Sequence, residues 1–296
     1  MHGNKLERYI TKTIAHIVLI VAALAALIPF ALIILASFTT EGALIEYGYS
    51  LFPKEFSLDA YKVVMQSSGE LVNAYIVTIF TTVVGTFLNV LVTIMAAYPM
   101  SRSDYKWQSK INFYFYFTML FHGGAVPTYI LISQYLHLKD NILVLIIPHL
   151  FSVWNCFLMR TYFKSTASSL WEAAEIDGAG QFRILFQIVV PTNVTGIATV
   201  TLFVLLSFWN QWYPCLMYMT RDKYITLQYF LSRVMSQISA MIKDAGVTAE
   251  SMDLSDMPSE TARMAMCVLA AGPMIFVFMF FQKYFTKGMN LGSVKG

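Results

Sequence analysis

Six stretches of this 296-residue chain, 14–38, 74–98, 111–136, 142–159, 184–208 and 264–281, hold no Asp, Glu, Lys or Arg at all. Each is long enough, or nearly so, to cross a bilayer, which takes about 20 mostly apolar residues in a helix. No water reaches the hydrocarbon core, so a spanning segment must satisfy its backbone groups internally, which favours helices. Barrel strands would alternate polar and apolar residues over about ten positions, and no such alternation is present. The chain therefore reads as an all-α integral membrane protein with six transmembrane helices. The first apolar run exceeds the core of a secretory signal and lacks a small-residue cleavage site, so it reads as an uncleaved anchor.

The loops alternate in charge when the N-terminus is placed inside. Lys5, Arg8, Lys12, Arg102, Lys106, Lys110, Arg160, Lys164, Arg183, Lys283, Lys287 and Lys295 then lie on one side, twelve of the twenty basic residues. They sit in short segments near helix ends, where the positive-inside bias acts most strongly. Only five of the seventeen acids share that side, so both termini are expected to be cytoplasmic. The outer side holds two longer, acidic segments, 39–73 and 209–263. Cys156, Cys215 and Cys267 show no CxxC or metal-type spacing, so neither a disulfide framework nor a zinc site is expected. No nucleic-acid partner is expected either.

One cytoplasmic segment interrupts the apolar pattern: "SLWEAAEIDGAGQFRILFQIVVP", residues 169–191. Ser169 followed by Glu172 has the spacing of a capping box at a helix start. Glu172, Glu175 and Asp177 fall in or near the first two turns, where an acid nearest the N-terminal end is favoured by the helix dipole. Gly178 suits the left-handed residue that ends a helix, and Gly180 the turn beyond it. A second helix, 181–190, would lead through Pro191 into the fifth span. Ala173, Ala174 and Ile176 would form a small smooth outer face, with Leu170 and Trp171 packed at the base. On physical grounds alone, an interfacial hairpin joining two spans is the alternative.

The spacing Glu172-Ala173-Ala174, Gly178, Ile188, Val190-Pro191 resembles the EAA signature of ABC importer permeases, with Val190 standing where that family has Leu. "FWNQWYPCLMYM" (208–219) and "FTKGMNLGSVKG" (285–296) resemble the carbohydrate-uptake branch, in the half related to the second permease of maltose-type importers. "FHGGAVPTYIL" (121–131) is similar to the subgroup of lipoprotein-linked oligosaccharide and alginate importers. The stretch "KSTASSLWEAA" lacks the proline that relatives often carry before the motif.

The resemblance implies the type I ABC importer permease fold in a bacterial inner membrane, crossed several times, and a transport subunit rather than an enzyme. It implies a heterodimer with a second permease, two cytoplasmic ATPase subunits that hold the ATP and Mg, an extracytoplasmic solute-binding protein and an oligosaccharide cargo. Residues 1–13 and 286–296 would be cytoplasmic tails, the second directed toward the ATPases, and 14–285 the membrane domain. Within it, 163–190 would be the coupling loop and 209–262 an extracytoplasmic loop reaching the binding protein. Glu172, Ala173, Ala174, Asp177, Gly178 and Pro191 would couple to the ATPase.

This chain has no GxxxxGK[ST] loop to cradle ATP phosphates. Ion-coupled carriers usually hold an ionised residue at depth, and here only His16, His122 and His149 are available. An ion-coupled or facilitative secondary sugar transporter is the alternative. For the pathway, His122, Gly123, Gly124 and Pro127 would kink the third span, as either a pore lining or a close-packing device. Pro148 would bend the fourth. Asn89, His149, Asn155 and Asn193 would line the route or bond between helices. Trp209, Asn210, Gln211 and Trp212 join aromatic and amide groups, which suits either an interfacial belt or a sugar contact.

Overall fold

The computed structural model describes residues 3–66, 68–121, 123–248 and 260–292. Helices dominate them, with a single isolated antiparallel bridge, Thr39 to Phe56. Three helices are long and apolar enough to cross a membrane unbroken: Tyr9–Ser37, Gly69–Ser101 and Glu260–Tyr284. Three further apolar stretches are bent helix pairs, each either a broken span or a re-entrant loop: Gln108–Leu120 with Ala125–Tyr135 (108°), Ile142–His149 with Val153–Lys164 (48°) and Gln181–Thr192 with Val194–Trp209 (87°). The sequence count of six is met only if each bent pair is one span.

The fifth stretch departs furthest from expectation. It is not a straight helix over 184–208, nor is 181–190 one regular helix. The α-helix Gln181–Ile184 passes into a π-turn, Leu185–Val189, and the chain turns at Asn193. Pro191 lacks an N–H and crowds the preceding turn, which frees carbonyls upstream. Thr192 Oγ1 donates to the Ile188 carbonyl at 2.8 Å, and Asn193 Nδ2 donates to the Val189 carbonyl at 2.8 Å. The same amide reaches Thr166 Oγ1 at 2.7 Å. A sharp bend is tolerated in an apolar setting because these groups are satisfied locally. In the fourth stretch Pro148 lies in the 3-10 turn Ile147–His149, and the α-helix begins only at Val153 and runs to Lys164.

The chain divides into two compact units. The first, Met1–Ser68 with Arg233–Gly272, carries the long N-terminal helix Gly3–Ser37 and two short helices, Glu41–Tyr47 and Asp59–Met65. The buried Glu41 carboxylate accepts the Glu260 and Thr261 N–H groups at 2.9 and 3.0 Å, so an acid from a distant segment caps the last helix. An anion at a helix start satisfies unpaired donors and complements the dipole.

The second unit, Gly69–Ser232 with Pro273–Gly296, holds two apolar clusters. One centres on Met100, Met159, Phe163, Ile184 and Phe208, the other on Val144, Leu145, Cys215 and Tyr218. Glycine decides how closely its helices approach. A Cβ on Gly196 would lie 2.3 Å from the Tyr162 ring, and one on Gly85 would lie 2.4 Å from the Phe208 ring. Small residues at such crossings supply packing where the hydrophobic effect gives no drive between helices.

Candidate functional site

The motif segment forms a nine-residue helix, Ser168–Ile176. It ends as the sequence suggests. Gly178 has φ +78°, its N–H donates to the Glu175 carbonyl at 3.0 Å, and the Ala179 N–H donates to the Ala174 carbonyl at 2.9 Å. These two bonds are a Schellman cap, and the left-handed residue it needs is strained for any side chain. The start differs. Ala167 is the N-cap, no side chain caps the helix, and the Ser169–Glu172 box does not form. The helix thus begins two residues early, no acid lies in its first turn, and Asp177 occupies the C-cap.

Packing against the neighbouring helices decides which side chains face out. Trp171 and Ala174 are half-buried against the cluster around Met159 and Phe163. Leu170, Glu172, Ala173, Ile176 and Asp177 are exposed, Ile176 to 87%. Leu170 and Ala174 therefore exchange the positions expected from sequence. An acid at the C-cap opposes the helix dipole, and an isoleucine so exposed forgoes burial. Neither helps this helix fold.

The helix is tied to the end of the second span by a buried arginine. Arg102, 5% exposed, makes a two-pronged ion pair with Asp104 at 2.8 and 2.6 Å. Its Nη2 also donates to Glu175 Oε1 at 2.7 Å. Gln181 Nε2 donates to the same Glu175 oxygen at 2.9 Å, and Tyr98 Oη donates to Gln181 Oε1 at 2.7 Å. The guanidinium lies 5.3 Å from the Trp171 ring centre, within cation–π range. Hydrogen bonds from Gln181 and then Arg102 hold the Glu175 carboxyl below its usual range. Arg102 does the same for Asp104, and the two acids in turn raise the Arg102 pKa, Asp104 most. Depressed carboxylates lend stability at neutral pH that is lost only as pH falls through their lowered pKa values. Beside this network a cavity of about 410 Å³ opens, walled by Met95, Pro99, Tyr105, Phe182 and Leu185.

The residues proposed for a pathway divide. His149, Asn210, Gln211 and Trp212 come together with Ser207, Phe208 and Tyr213 around a cavity of about 180 Å³. The His149 ring meets Phe208 edge-on, at 6.3 Å between centres, and the His149 carbonyl accepts from Asn89 Nδ2 at 2.7 Å. Gln211 is 7% exposed, and its Oε1 has no hydrogen-bond donor among the described residues. An orphaned buried polar atom costs about 1–3 kcal/mol. Trp209 is buried and does not line the cavity. Asn155 sits in the first turn of Val153–Lys164, likewise outside the lining. Gly123, Gly124 and Pro127 are exposed at the bend of the third stretch, away from that cavity, with Gly124 at φ +87°. His122 lies outside the described residues.

Among known protein families, the binding-protein-dependent transport system inner membrane components match this chain over residues 74–291. The chain belongs to that family. It is 34% identical over 278 residues to the polygalacturonan/rhamnogalacturonan transport system permease protein YtcP of Bacillus subtilis, covering 94% of this chain and 96% of that one. Protein LplC of the same organism is 33% identical, over 91% of this chain and 90% of its own length. A crystal structure of a bacterial ABC transporter involved in the import of the acidic polysaccharide alginate superposes with a TM-score of 0.76. That chain is 28% identical, with 94% of this chain and 98% of its own length covered. The resemblance read from the EAA spacing is thereby borne out, as is the all-α permease fold.

Membership gives the motif helix a context, while its anchor escaped sequence reading. Arg102 stood there as one positive-inside charge among twelve, and Gln181 as the first residue of a second helix. Their common partner Glu175 is 73 residues from Arg102, and no local spacing links them. Asn89 and Asn193 each bond to another segment, Asn89 to the His149 carbonyl and Asn193 to Thr166 Oγ1.

Proposed function

We propose that this chain is one permease of a heterodimeric, ATP-driven importer in a bacterial cell membrane, with both termini cytoplasmic. It takes an oligosaccharide from an extracytoplasmic binding protein and passes it inward by alternating access. The permease pair is the two-state element, biased by nucleotide on one side and by loaded binding protein on the other. Residues 163–190 form the coupling loop. Glu172, Ala173 and Asp177, with Gly178 shaping the end and Pro191 starting the bend, seat in a cleft of the ATPase, which holds ATP and Mg. Residues 209–262, of which 249–259 lie outside the described residues, face the binding protein, and 286–296 form the inner tail.

One observation carries this reading. The exposed face of Ser168–Ile176 presents an isoleucine that gains no burial, an acid, Asp177, at the end where the helix dipole opposes it, and the exposed Glu172, while the opposite face is fixed by Arg102. Such a face gains its energy from a partner. Uronate-containing oligosaccharides are the first cargo to test, given the polygalacturonan/rhamnogalacturonan and alginate named for the relatives at 34% and 28% identity. Affinity purification of the tagged chain is expected to retain a second permease and an ATPase, and proteoliposomes of that complex to take up trigalacturonate only with ATP and binding protein. Uptake by the chain alone, driven by an ion gradient, would instead establish the secondary-transporter alternative.

A further inference from the structure

We infer that this subunit itself holds one sugar ring of the cargo, in the cavity between His149 and Gln211. The inference rests on the importer reading above and adds to it which permease makes contact and through which atoms. The cavity, about 180 Å³, is small and mixed in character. Phe208, Trp212 and Tyr213 supply aromatic walls, and His149, Ser207, Asn210 and Gln211 supply polar groups. Specific pockets commonly pair mostly apolar walls with a few converging polar groups, and flat rings suit the C–H faces of a pyranose.

The polar groups are unevenly occupied. Asn210 is already engaged, donating to the Leu206 carbonyl at 2.9 Å and accepting from Gln228 at 3.3 Å. Gln211 is not. Its backbone carbonyl accepts from Thr226, yet its side-chain Oε1 has no donor although the residue is 7% exposed. A sugar hydroxyl can both donate to and accept from an amide, which makes it a fitting partner.

The wall behind the cavity points the same way. The second span touches the lining at two places, Gly85 against Phe208 and Asn89 to the His149 carbonyl. Helical spacing puts Thr82 and Thr86 on that same face. Both are buried, and neither hydroxyl has a hydrogen-bond partner among the described residues. Buried polar groups are ordinarily paired; Thr82 and Thr86 stand behind the lining rather than in it, so Gln211 is the unpaired group at the cavity and the two threonines are further unpaired groups on the adjoining element.

The test uses the purified complex of both permeases and ATPase, without binding protein, in equilibrium dialysis against labelled trigalacturonate and labelled maltotriose. Wild type is expected to retain one of the two. Gln211→Leu and Trp212→Ala are each expected to weaken retention about threefold to tenfold, the range of a single neutral contact. Trp212 is 47% exposed, so its variant reports on the site even if Gln211→Leu fails to assemble. No retention by wild type, or unchanged retention in both assembled variants, overturns the inference. Uptake with binding protein and ATP is measured in parallel. Wild-type uptake without a variant effect leaves the importer reading intact, and absence of wild-type uptake of any glycan defeats that reading instead.

Discussion

Gly178→Pro is expected to reduce glycan uptake to background and to abolish stimulation of the ATPase by loaded binding protein, with membrane insertion unchanged. At φ +78° the native residue occupies a conformation closed to proline, whose ring fixes φ near −65°. Proline also lacks the N–H that Gly178 donates to the Glu175 carbonyl at 3.0 Å. With the Schellman cap gone, the last turn of Ser168–Ile176 unwinds, and that turn carries Ile176 and the Glu175 anchor. Gly178→Ala separates strain from the lost donor. It keeps the N–H at a strain of about 1–2 kcal/mol, so partial uptake is expected to remain. Glu172→Lys reverses a charge on the exposed face without touching the cap and is expected to give the same loss of uptake. Normal transport by Gly178→Pro and Glu172→Lys would remove the coupling assignment.

Arg102→Ala is expected to uncouple the machine rather than dismantle it. The guanidinium joins Asp104, just beyond the end of the second span, to Glu175 on the exposed helix. Its removal leaves two carboxylates close together and takes the cation from the Trp171 ring. Glu175 is about a third exposed and Asp104 more so, which places the loss near 1–2 kcal/mol rather than at the value of a fully buried pair. Uptake is expected to fall about tenfold while ATP hydrolysis by the complex continues, measured as sugar imported per ATP consumed. Arg102→Lys restores the charge but not the planar fork that grips Asp104 through two nitrogens. It is expected to recover only part of the coupling. An unchanged ratio of sugar to ATP in Arg102→Ala would show that the ion pairs are structural only.

These two positions mark how far sequence reading reached. Gly178 was legible because a helix end is local: acids, a glycine at the stop and an apolar run beyond suffice to place it. The apolar crossings were legible for the same reason, since each declares itself by lacking charge over a whole segment. Arg102 was not legible as an anchor, because its role depends on a partner brought near only by the fold. The 87° bend was half legible. Pro191 signals a kink, but a turn that sharp also needs the Asn193 amide bonded to Thr166 in a preceding segment. The helix start lies two residues before the one read from sequence, with Ala167 rather than Ser169 as cap, and Ala174 rather than Leu170 packs inward because the neighbouring helices that it meets are set by the fold. The cavity residues were named in advance as separate candidates. That His149 meets Gln211 while Trp209 and Asn155 stay apart follows from the bends in the fourth and fifth stretches.

The central claim, that the exposed face of Ser168–Ile176 is where a cytoplasmic ATPase seats, is open to one direct measurement. Cys156 and Cys215 are buried, so a Cys267→Ser background leaves little competing reactivity. Single cysteines at Ala173→Cys and Ile176→Cys, treated with a short bifunctional thiol reagent in native membranes, are expected to crosslink to the ATPase subunit, with ATP changing the yield. Failure of both positions to capture an ATPase, or labelling of both from the outer side of intact cells, would contradict the claim.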